Sequence, residues 1–522
     1  MIDPAQFQLQ DQSSKQSVKR LKFLSESLAD LHQNLEKFGS KLHIYSGKTE
    51  LIIPDIMTKL EAPKLYYHDE YIFEEKQLLR STISSLGGRF PISSYWGGGT
   101  IYETKDLPFD LDRLTMFTSF RKSMEGNDRT NPKIPMLPPT EPPEVLCPSP
   151  EISDSLVSTQ PLVDMTPAGI LKALLHVSMS PECNSQSDPF FSIGVDEGTN
   201  SNFKGGETAA WERINHYITN GLGKIDVYKE TRNGMIGMDY SSKLSPWLAV
   251  GAISSRQVVK AVKDFEARTG IKNDSTYWLI FELLWRDYMK FYGIKLGRRM
   301  FLLGGAVGKS ALNKYPWRRD ATLFDKWARG LTGYPLVDAN MRELLATGFM
   351  SNRGRQIVAS FLVRDLGLDW RLGAQHFESH LLDHDVCSNW GNWNYGAGVG
   401  SDPREDRYFN ILKQGKSYDP EGAYIRLWCP EIASLPTECL LNAALINDGT
   451  RAKYGITVND YPKPCCKLMH TAFKGDNHQT GNGGGRGHKN DRGGRNSGKQ
   501  NRKKENAYKQ RHGGVPGLTE FN

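Results

Sequence analysis

The segment YWLIFELLWRDYMKFY, Tyr277 to Tyr292, is interrupted by only four charged side chains: Glu282, Arg286, Asp287 and Lys290. A helix that is apolar on nearly every side is stable in water only when other elements enclose it. This segment therefore predicts a helical domain built around a buried helix. Trp278, Glu282 and Trp285 fall at i, i+4 and i+7 and so share one face. In one reading Glu282 pairs with Arg286 at i+4, a contact worth about 0.2–0.5 kcal/mol on an exposed helix. In the other, the face is a cleft wall where a carboxylate sits between two indoles, suited to a flat heteroaromatic group.

Other parts of the chain follow a different pattern. Ser17 to Phe38 spaces Leu21, Leu24, Leu28, Leu31, Leu35 and Phe38 three or four apart, with Gly39 as the stop, which predicts an amphipathic helix. Strands are then expected at Leu42–Tyr45, Lys64–His68 and Phe90–Tyr95, with helices at Glu50–Leu60 and Glu74–Leu86 between them. Such alternation indicates a parallel α/β sheet with crossover connections. From 106 to 206 the composition shifts to Pro, Ser, Thr and Asp, the signature of a linker with little structure of its own.

Helical spacing returns at Trp211–Thr219, Pro246–Val250, Ser255–Thr269, Ser275–Phe291, Asp338–Thr347, Arg355–Leu366 and Trp370–Leu382. Nine of the eleven Trp lie between Trp247 and Trp428, so the aromatic mass belongs to this region. The expected organisation is an N-terminal α/β domain (1–105), a linker (106–206), an all-α domain (207–441) and a C-terminal extension (442–522).

The net charge of +7 has a local origin. Ten Lys or Arg against Asp491 and Glu505 lie between Arg486 and Arg511, in a Gly-rich tail that cannot bury enough surface to fold alone. The tail is expected to be disordered and to resemble RNA-binding or localisation segments. The rest is close to neutral, so charge neither supports nor excludes nucleic-acid binding by the folded part. No apolar window is long enough to span a membrane. The N-terminus lacks a secretory pattern, which makes a cytosolic or nuclear address the expectation, with an organellar one left open. Seven scattered Cys argue for reduced thiols.

Three further stretches carry candidate chemistry. In GMDYSSKLSPWLAVGAIS, Gly237 to Ser254, hydroxyls, Lys243 and a helix start at Pro246 suit an anion, although an N-cap by Ser245 explains much of the same pattern. Asn352, Arg353 and Arg355 precede an apolar helix, and Arg355 is expected to pair with Asp383 or Asp385, since burying either charge alone is costly. LLDHDVCSNWGNWNYGAGVG, Leu381 to Gly400, is too polar for ordinary core and too aromatic for ordinary loop. A metal set of Asp383, His384, Asp385 and Cys387 is disfavoured, because adjacent side chains point apart and the donors match no common site.

Together these stretches resemble the photolyase and cryptochrome family, in particular its DASH branch. The likeness runs from about Leu21 to Pro430 and is densest in TRNGMIGMDYSSKLSPWLAVG, STYWLIFELLWRDY, VDANMRELLATGFMSNRGRQIVASFL, DWRLGAQHF and DHDVCSNWGNWNY. The resemblance implies a Rossmann-like photolyase domain, a long linker and a helical domain holding FAD. Tyr228, Ser241, Ser242, Lys243, Leu244 and Ser245 match positions around the FAD phosphates. Asn352, Arg355, Asp383, Asp385 and Asn389 match those lining the flavin, with Asn389 facing its reactive nitrogen N5. Trp393, Trp370 and Trp317 match the family's electron-carrying tryptophans.

The resemblance also implies a light-driven lyase that splits cyclobutane pyrimidine dimers. Glu282 and Trp285 match lesion-contacting residues beside the cofactor, and Arg232 and Arg353 match basic positions near the DNA backbone. Tyr395 and Gln356 stand where photolyases of duplex DNA carry Trp and Met, as is usual for DASH members. Both make the pocket less apolar and so favour dimers in single-stranded DNA, where no base pair must be unstacked. Ser351 and Asn352 occupy the region of the six-four photolyases' catalytic His, which discounts six-four repair. A blue-light photoreceptor or nucleic-acid-binding regulator, using the basic tail to reach RNA or duplex DNA, is the alternative. The protein is expected to be a monomer.

Glu70 resembles the carboxylate that holds a 5,10-methenyltetrahydrofolate antenna. Family members begin with a strand, an Arg-x-Asp-Leu-Arg segment and another strand, which this chain lacks before Ser17. The expectation is either a truncated gene model or a compromised N-terminal sheet with exposed edges, which weighs against antenna binding.

Overall fold

The structure is a computed structural model that describes residues 1–7, 15–97, 99–126, 132–141, 144–146, 148, 161–178, 203–400 and 408–469. The N-terminal part comprises helices α1 (Pro4–Phe7), α2 (Val18–Lys37) and α3 (Thr49–Met57), strand β1 (Leu65–Asp69), α4 (Phe73–Leu86), strand β2 (Ile92–Trp96) and α5 (Phe117–Glu125). It is followed by α6 (Pro167–Ser178), α7 (Glu207–Ile214), α8 (Tyr228–Thr231), α9 (Ser245–Ala249), α10 (Ser255–Thr269) and α11 (Asp274–Leu296). Next come α12 (Lys309–Lys314), α13 (Ala321–Ala328), α14 (Pro335–Thr347), α15 (Asn352–Ser360), α16 (Trp370–His380) and α17 (Val386–Ala397). The described series ends with α18 (Ile411–Tyr418), α19 (Ala423–Trp428), α20 (Thr437–Leu441) and α21 (Asp448–Tyr454). Among the described residues, Met1–Cys466 belong to one compact unit and Lys467–Met469 fall outside it. The basic Arg486–Arg511 tail lies outside the described residues.

β1 and β2 pair in parallel, Leu65 opposite Ile92 and Asp69 opposite Trp96, as the alternating pattern requires. The third expected strand, Leu42–Tyr45, is replaced by an isolated parallel bridge between Ile2 and Ser46. Ile2 N donates to Tyr45 O at 2.8 Å and Gly47 N to Ile2 O at 3.0 Å. Leu162 N also donates to Ile44 O at 2.7 Å, but no strand ladder forms among the described residues, and the segment's apolar side chains are covered by helices. Ile2, Phe7 and Ile44 are buried against Leu21 and Ala29 of α2 and Ile170, Leu174 and Val177 of α6.

That packing corrects the reading of 106–206 as nearly structureless. Helices α5 and α6 lie inside it, and α6 covers the apolar stripe of α2. Local Pro and Ser content masked the Ile-x-x-x-Leu-x-x-Val spacing of α6, which is a plain amphipathic signal. On its other side α2 holds the start of α7, where Thr208 N and Oγ1 both donate to Asp30.

Helix α11 is as enclosed as its sequence demands. Asn273 caps it, accepting from Ser275 N and Thr276 N, and Leu283, Leu284, Trp285, Tyr288 and Phe291 are all buried. Its fully buried Asp287 accepts from Ile101 N and Tyr102 N, which ties the chain after β2 to the helical part. Leu381–Gly400, too polar for ordinary core and too aromatic for ordinary loop, is mostly helix α17. Asp385 is its N-cap, accepting from Ser388 N at 2.8 Å, and Gly398 ends it in the left-handed region at φ 78°. Its polar and aromatic residues are buried together: Ser388, Asn392 and Asn394 alongside Trp390 and Trp393.

Candidate cofactor site

Five chain segments converge on a cavity holding about 990 Å³ of space between atoms, part of it open to solvent. Its walls are Tyr228 of α8, the run Tyr240–Ser245, Leu279, Glu282 and Arg286 of α11, the Phe349–Asn352 corner with Arg355, and Asp383, Asp385 and Ser388 around the start of α17. The structure thus brings together Tyr228, Arg232, Ser241, Ser242, Lys243, Leu244, Ser245, Glu282, Asn352, Arg355, Asp383 and Asp385, all expected near a cofactor or its substrate.

The Ser241–Ser245 run is shaped by Arg213, a residue that the sequence reading missed. From α7 its guanidinium donates to Ser242 O, Ser241 O and Met238 O at 2.9 Å each and to Asp239 at 2.7 Å. A buried arginine that satisfies three carbonyls has no local sequence signature. Lys243 adopts φ 50°, in the left-handed region. Its ammonium donates to Gly237 O at 2.8 Å and lies 4.4 Å from the Tyr240 ring centroid and 5.1 Å from that of Phe349. Burial holds its pKa well below the ordinary lysine value. Ser245 is not the N-cap of α9; its hydroxyl donates to Asp383 Oδ2 at 2.7 Å.

Asp383 and Asp385 diverge, as neighbours two apart should. Asp383 Oδ2 also accepts from Arg355 at 2.7 Å, which settles the expected pairing in favour of Asp383. Asp385 instead faces Lys290 at 3.6 Å and Arg286 at 3.9 Å. Burial pushes the Asp385 pKa up, but these two cations and the Ser388 N–H outweigh it and hold the carboxyl below the usual carboxylate range.

Glu282 does not pair with Arg286. It accepts from Arg232 at 2.6 Å and from Trp278 Nε1 at 3.0 Å, while Arg286 donates to Gly99 O and Leu248 O. Arg232 is buried and its guanidinium also covers the Trp278 ring at 4.9 Å. Arg353 is likewise turned inward: it donates to Gln356 and Asn233 and lies 4.4 Å from the Tyr418 ring. Neither guanidinium is offered outward as the DNA-backbone reading expected, because each satisfies a buried acceptor in its own chain.

Other expected residues lie off the cavity wall. Trp285 is stacked on Phe117 at 3.8 Å and 14°, so α5 covers one of its faces. Asn389 donates from its amide to Ala374 O at 2.9 Å. Gln356 is buried, Tyr395 is half-buried near the end of α17, and Glu70 is exposed just after β1. Trp393 and Trp370 are fully enclosed, and Trp317 is half-buried against Tyr315 at 5.1 Å.

The wall fits FAD on its own chemistry. Asp383 Oδ1 and Asn352 Oδ1 are buried acceptors with no donor among the described residues, and they meet the need of an imide N–H. The Arg355 and Lys243 cations suit a cofactor that carries phosphates and a polarisable ring.

Residues 278–474 match the model of the FAD binding domain of DNA photolyase, and residues 1–143 match the DNA photolyase model. The chain is 43% identical to cryptochrome DASH of Synechocystis sp. (strain ATCC 27184 / PCC 6803 / Kazusa) over 89% of this chain and 88% of that one. It is 40% identical to cryptochrome DASH of Danio rerio, over 90% and 84% of the two chains. Among solved structures, the Synechocystis sp. PCC6803 cryptochrome superposes with a TM-score of 0.79 at 42% identity, covering 91% of each chain. A bacterial class III photolyase from Agrobacterium tumefaciens gives 0.70 at 26% identity, over 90% of this chain and 89% of that one. The protein is a blue-light FAD flavoprotein of the photolyase family. With close relatives spanning nearly its whole length, the chain belongs to the DASH cryptochromes of the DNA photolyase and cryptochrome family.

Proposed function

We propose that this protein, as a monomer, splits cyclobutane pyrimidine dimers in single-stranded DNA under blue light. FAD, when bound, supplies the light absorption and the one-electron chemistry. The observation that carries the reading is Glu282, a buried carboxylate in the cavity wall, held at 2.6 Å by Arg232 and at 3.0 Å by Trp278. Fixed there, it can accept from the N–H groups of a flipped pyrimidine pair and orient it. Tyr395 and Gln356, less apolar than the Trp and Met of duplex photolyases, favour a substrate that is already unstacked. The test is irradiation of photoreduced protein with a dimer-containing single-stranded oligonucleotide. Dimer loss above the dark control supports the reading, and equal dimer content in light and dark sinks it.

A second reading, a light-dependent nucleic-acid-binding regulator, is favoured by one observation. Arg232 and Arg353 are committed to partners inside the protein, which leaves the Arg486–Arg511 tail as the stronger source of cations for a phosphate backbone. Under that reading, light-dependent binding survives Glu282→Gln and weakens when Arg486–Arg511 is deleted. The same inward arginines leave antenna binding at Glu70 untouched, and a folate absorption band in the purified protein decides it.

A further inference from the structure

Trp370, fully buried on the first turn of α16, makes a T-shaped ring contact with Trp390 of α17, with centroids 5.8 Å apart and planes at 78°. The Trp390 indole in turn meets Phe301 at 4.9 Å. The two indoles differ in what their N–H groups face. Trp370 Nε1 donates to the backbone carbonyl of Leu303 at 3.0 Å, which cannot take a proton. Trp390 Nε1 donates to Glu378 Oε2 at 2.9 Å, and a carboxylate can. Trp390 and Glu378 both line a second cavity, bounded by α4, α13, α16 and α17, with about 1110 Å³ of space between atoms and an opening to solvent.

We propose that Trp390 is a redox-active branch of the tryptophan path, refilling Trp370 with an electron while Glu378 takes the indole proton. The proposal rests on the reading that Trp393 and Trp370 carry electrons. FAD, when bound and excited, would supply the one-electron oxidising power, and Trp393 and then Trp370 are the residues that would give up the electron. One electron then passes from Trp390 to the oxidised Trp370 ring, restoring it. The Trp390 N–H bond breaks, its proton goes to the Glu378 carboxylate, and a neutral indolyl radical remains on Trp390. A small thiolate, its proton already lost to water, reaches the second cavity, gives one electron to the indolyl radical and leaves as a thiyl radical, while Glu378 returns the proton to the indole nitrogen.

The surroundings of Glu378 suit a proton acceptor. Burial raises its pKa, opposed by the Trp390 N–H and by Arg20 of α2 and Lys15, with Glu74 adding to the rise. His384 lies 4.0 Å away and is held neutral by burial, as is His376 on the cavity wall. A negative charge on the indole N–H also makes the ring easier to oxidise, so the path runs downhill toward Trp390. The branch through Trp317 is separate: its neighbour Arg318 bonds Gly367 and Asp369 through the backbone, beside Trp370.

The experiment is time-resolved absorption and electron paramagnetic resonance on full-length, FAD-loaded protein and its variants, with the bound-flavin spectrum of each as the folding control. Trp317→Phe is expected to keep a long-lived tryptophan radical, and adding Trp390→Phe to cut its yield by roughly ten-fold, the non-additivity of two coupled exits. Glu378→Gln in the Trp317→Phe background keeps the packing and is expected to replace the neutral-radical spectrum with that of the cation radical. If Trp317→Phe alone removes the long-lived radical, as Trp393→Phe is expected to do, the linear path stands and the Trp390 branch is overturned. If Trp393→Phe leaves the radical yield unchanged, the underlying electron path fails and the branch fails with it.

Discussion

Arg355, on the first turn of α15, meets Asp383, in the turn before α17, at 2.7 Å across 28 residues of chain. Both are buried, and Ser245 donates to the same carboxylate oxygen. This contact joins three of the segments that wall the cavity.

Asp383→Asn leaves the guanidinium buried without its counter-charge. Removing one partner of such a pair costs about 3–5 kcal/mol. The purified variant is expected to lose most of its FAD, read as the ratio of blue to protein absorption, and to unfold at lower temperature. Unchanged flavin content would show that the pair does not organise the site.

For Glu282→Gln the amide can still accept from Trp278, but Arg232 loses its counter-charge. The variant should retain FAD, because the flavin-facing Asp383 and Arg355 are intact. Dimer splitting in single-stranded DNA should fall by roughly ten-fold or more, about 1.4 kcal/mol in transition-state stabilisation. A splitting rate equal to the parent's would remove Glu282 from the substrate's contacts.

Lys243 sets a pH dependence in the FAD-free protein. Its folded pKa lies below its unfolded value, so at low pH both states hold the proton and the burial penalty is complete. As pH rises toward the ordinary lysine value of about 10.4, the folded state sheds the proton first and stability rises. Arg213, Asp239 and Glu343 are the charged groups around it, and Glu343 and Asp239 favour the proton. Lys243→Met should flatten the rise of melting temperature with pH, whereas a parallel curve would assign the slope to other groups.

Gly373 of α16 lies against the Trp393 indole: a Cβ there would come within 2.2 Å of Cη2. Gly373→Ala must therefore displace the ring or the helix, at about 1–3 kcal/mol for overpacking. Trp370 is one turn away on the same helix. The expected outcome is a folded, flavin-loaded protein with a slower first electron transfer, measured as the lifetime of the excited flavin. An unaltered lifetime would show that Trp393 adjusts without loss of coupling.

Much of the site is legible in residue types and order. Arg355 with Asp383, and the Ser241–Ser245 run, stand in the stretches where the family's motifs place them, and the cavity gathers them. The partner of Glu282 was not legible. Spacing offers Arg286 at i+4, but α11 is enclosed, and its faces are occupied by whatever packs there: Arg232 from α8, with Arg286 drawn away to the Gly99 and Leu248 carbonyls. Helix α17 was missed for a related reason. Its Asn, Trp and Gly content reads as turn when local propensity is taken alone, while the Asp385 cap and the two-sided burial that stabilise it come from tertiary contacts.

By itself the sequence determined the buried helix α11, the parallel pairing that follows an alternation of strand and helix, and membership of a flavin-binding family. Those follow from periodicity and from motifs whose residues are close in the chain. Only the tertiary structure decided that Arg232 and Arg353 face inward, that α6 covers α2, and that Trp370 meets Trp390. Periodicity fixes which face of a helix is buried, not which distant side chain will be packed on it. That choice is made by the fit of charges and rings across long stretches of chain, where burying an unpaired polar group costs more than any local preference supplies.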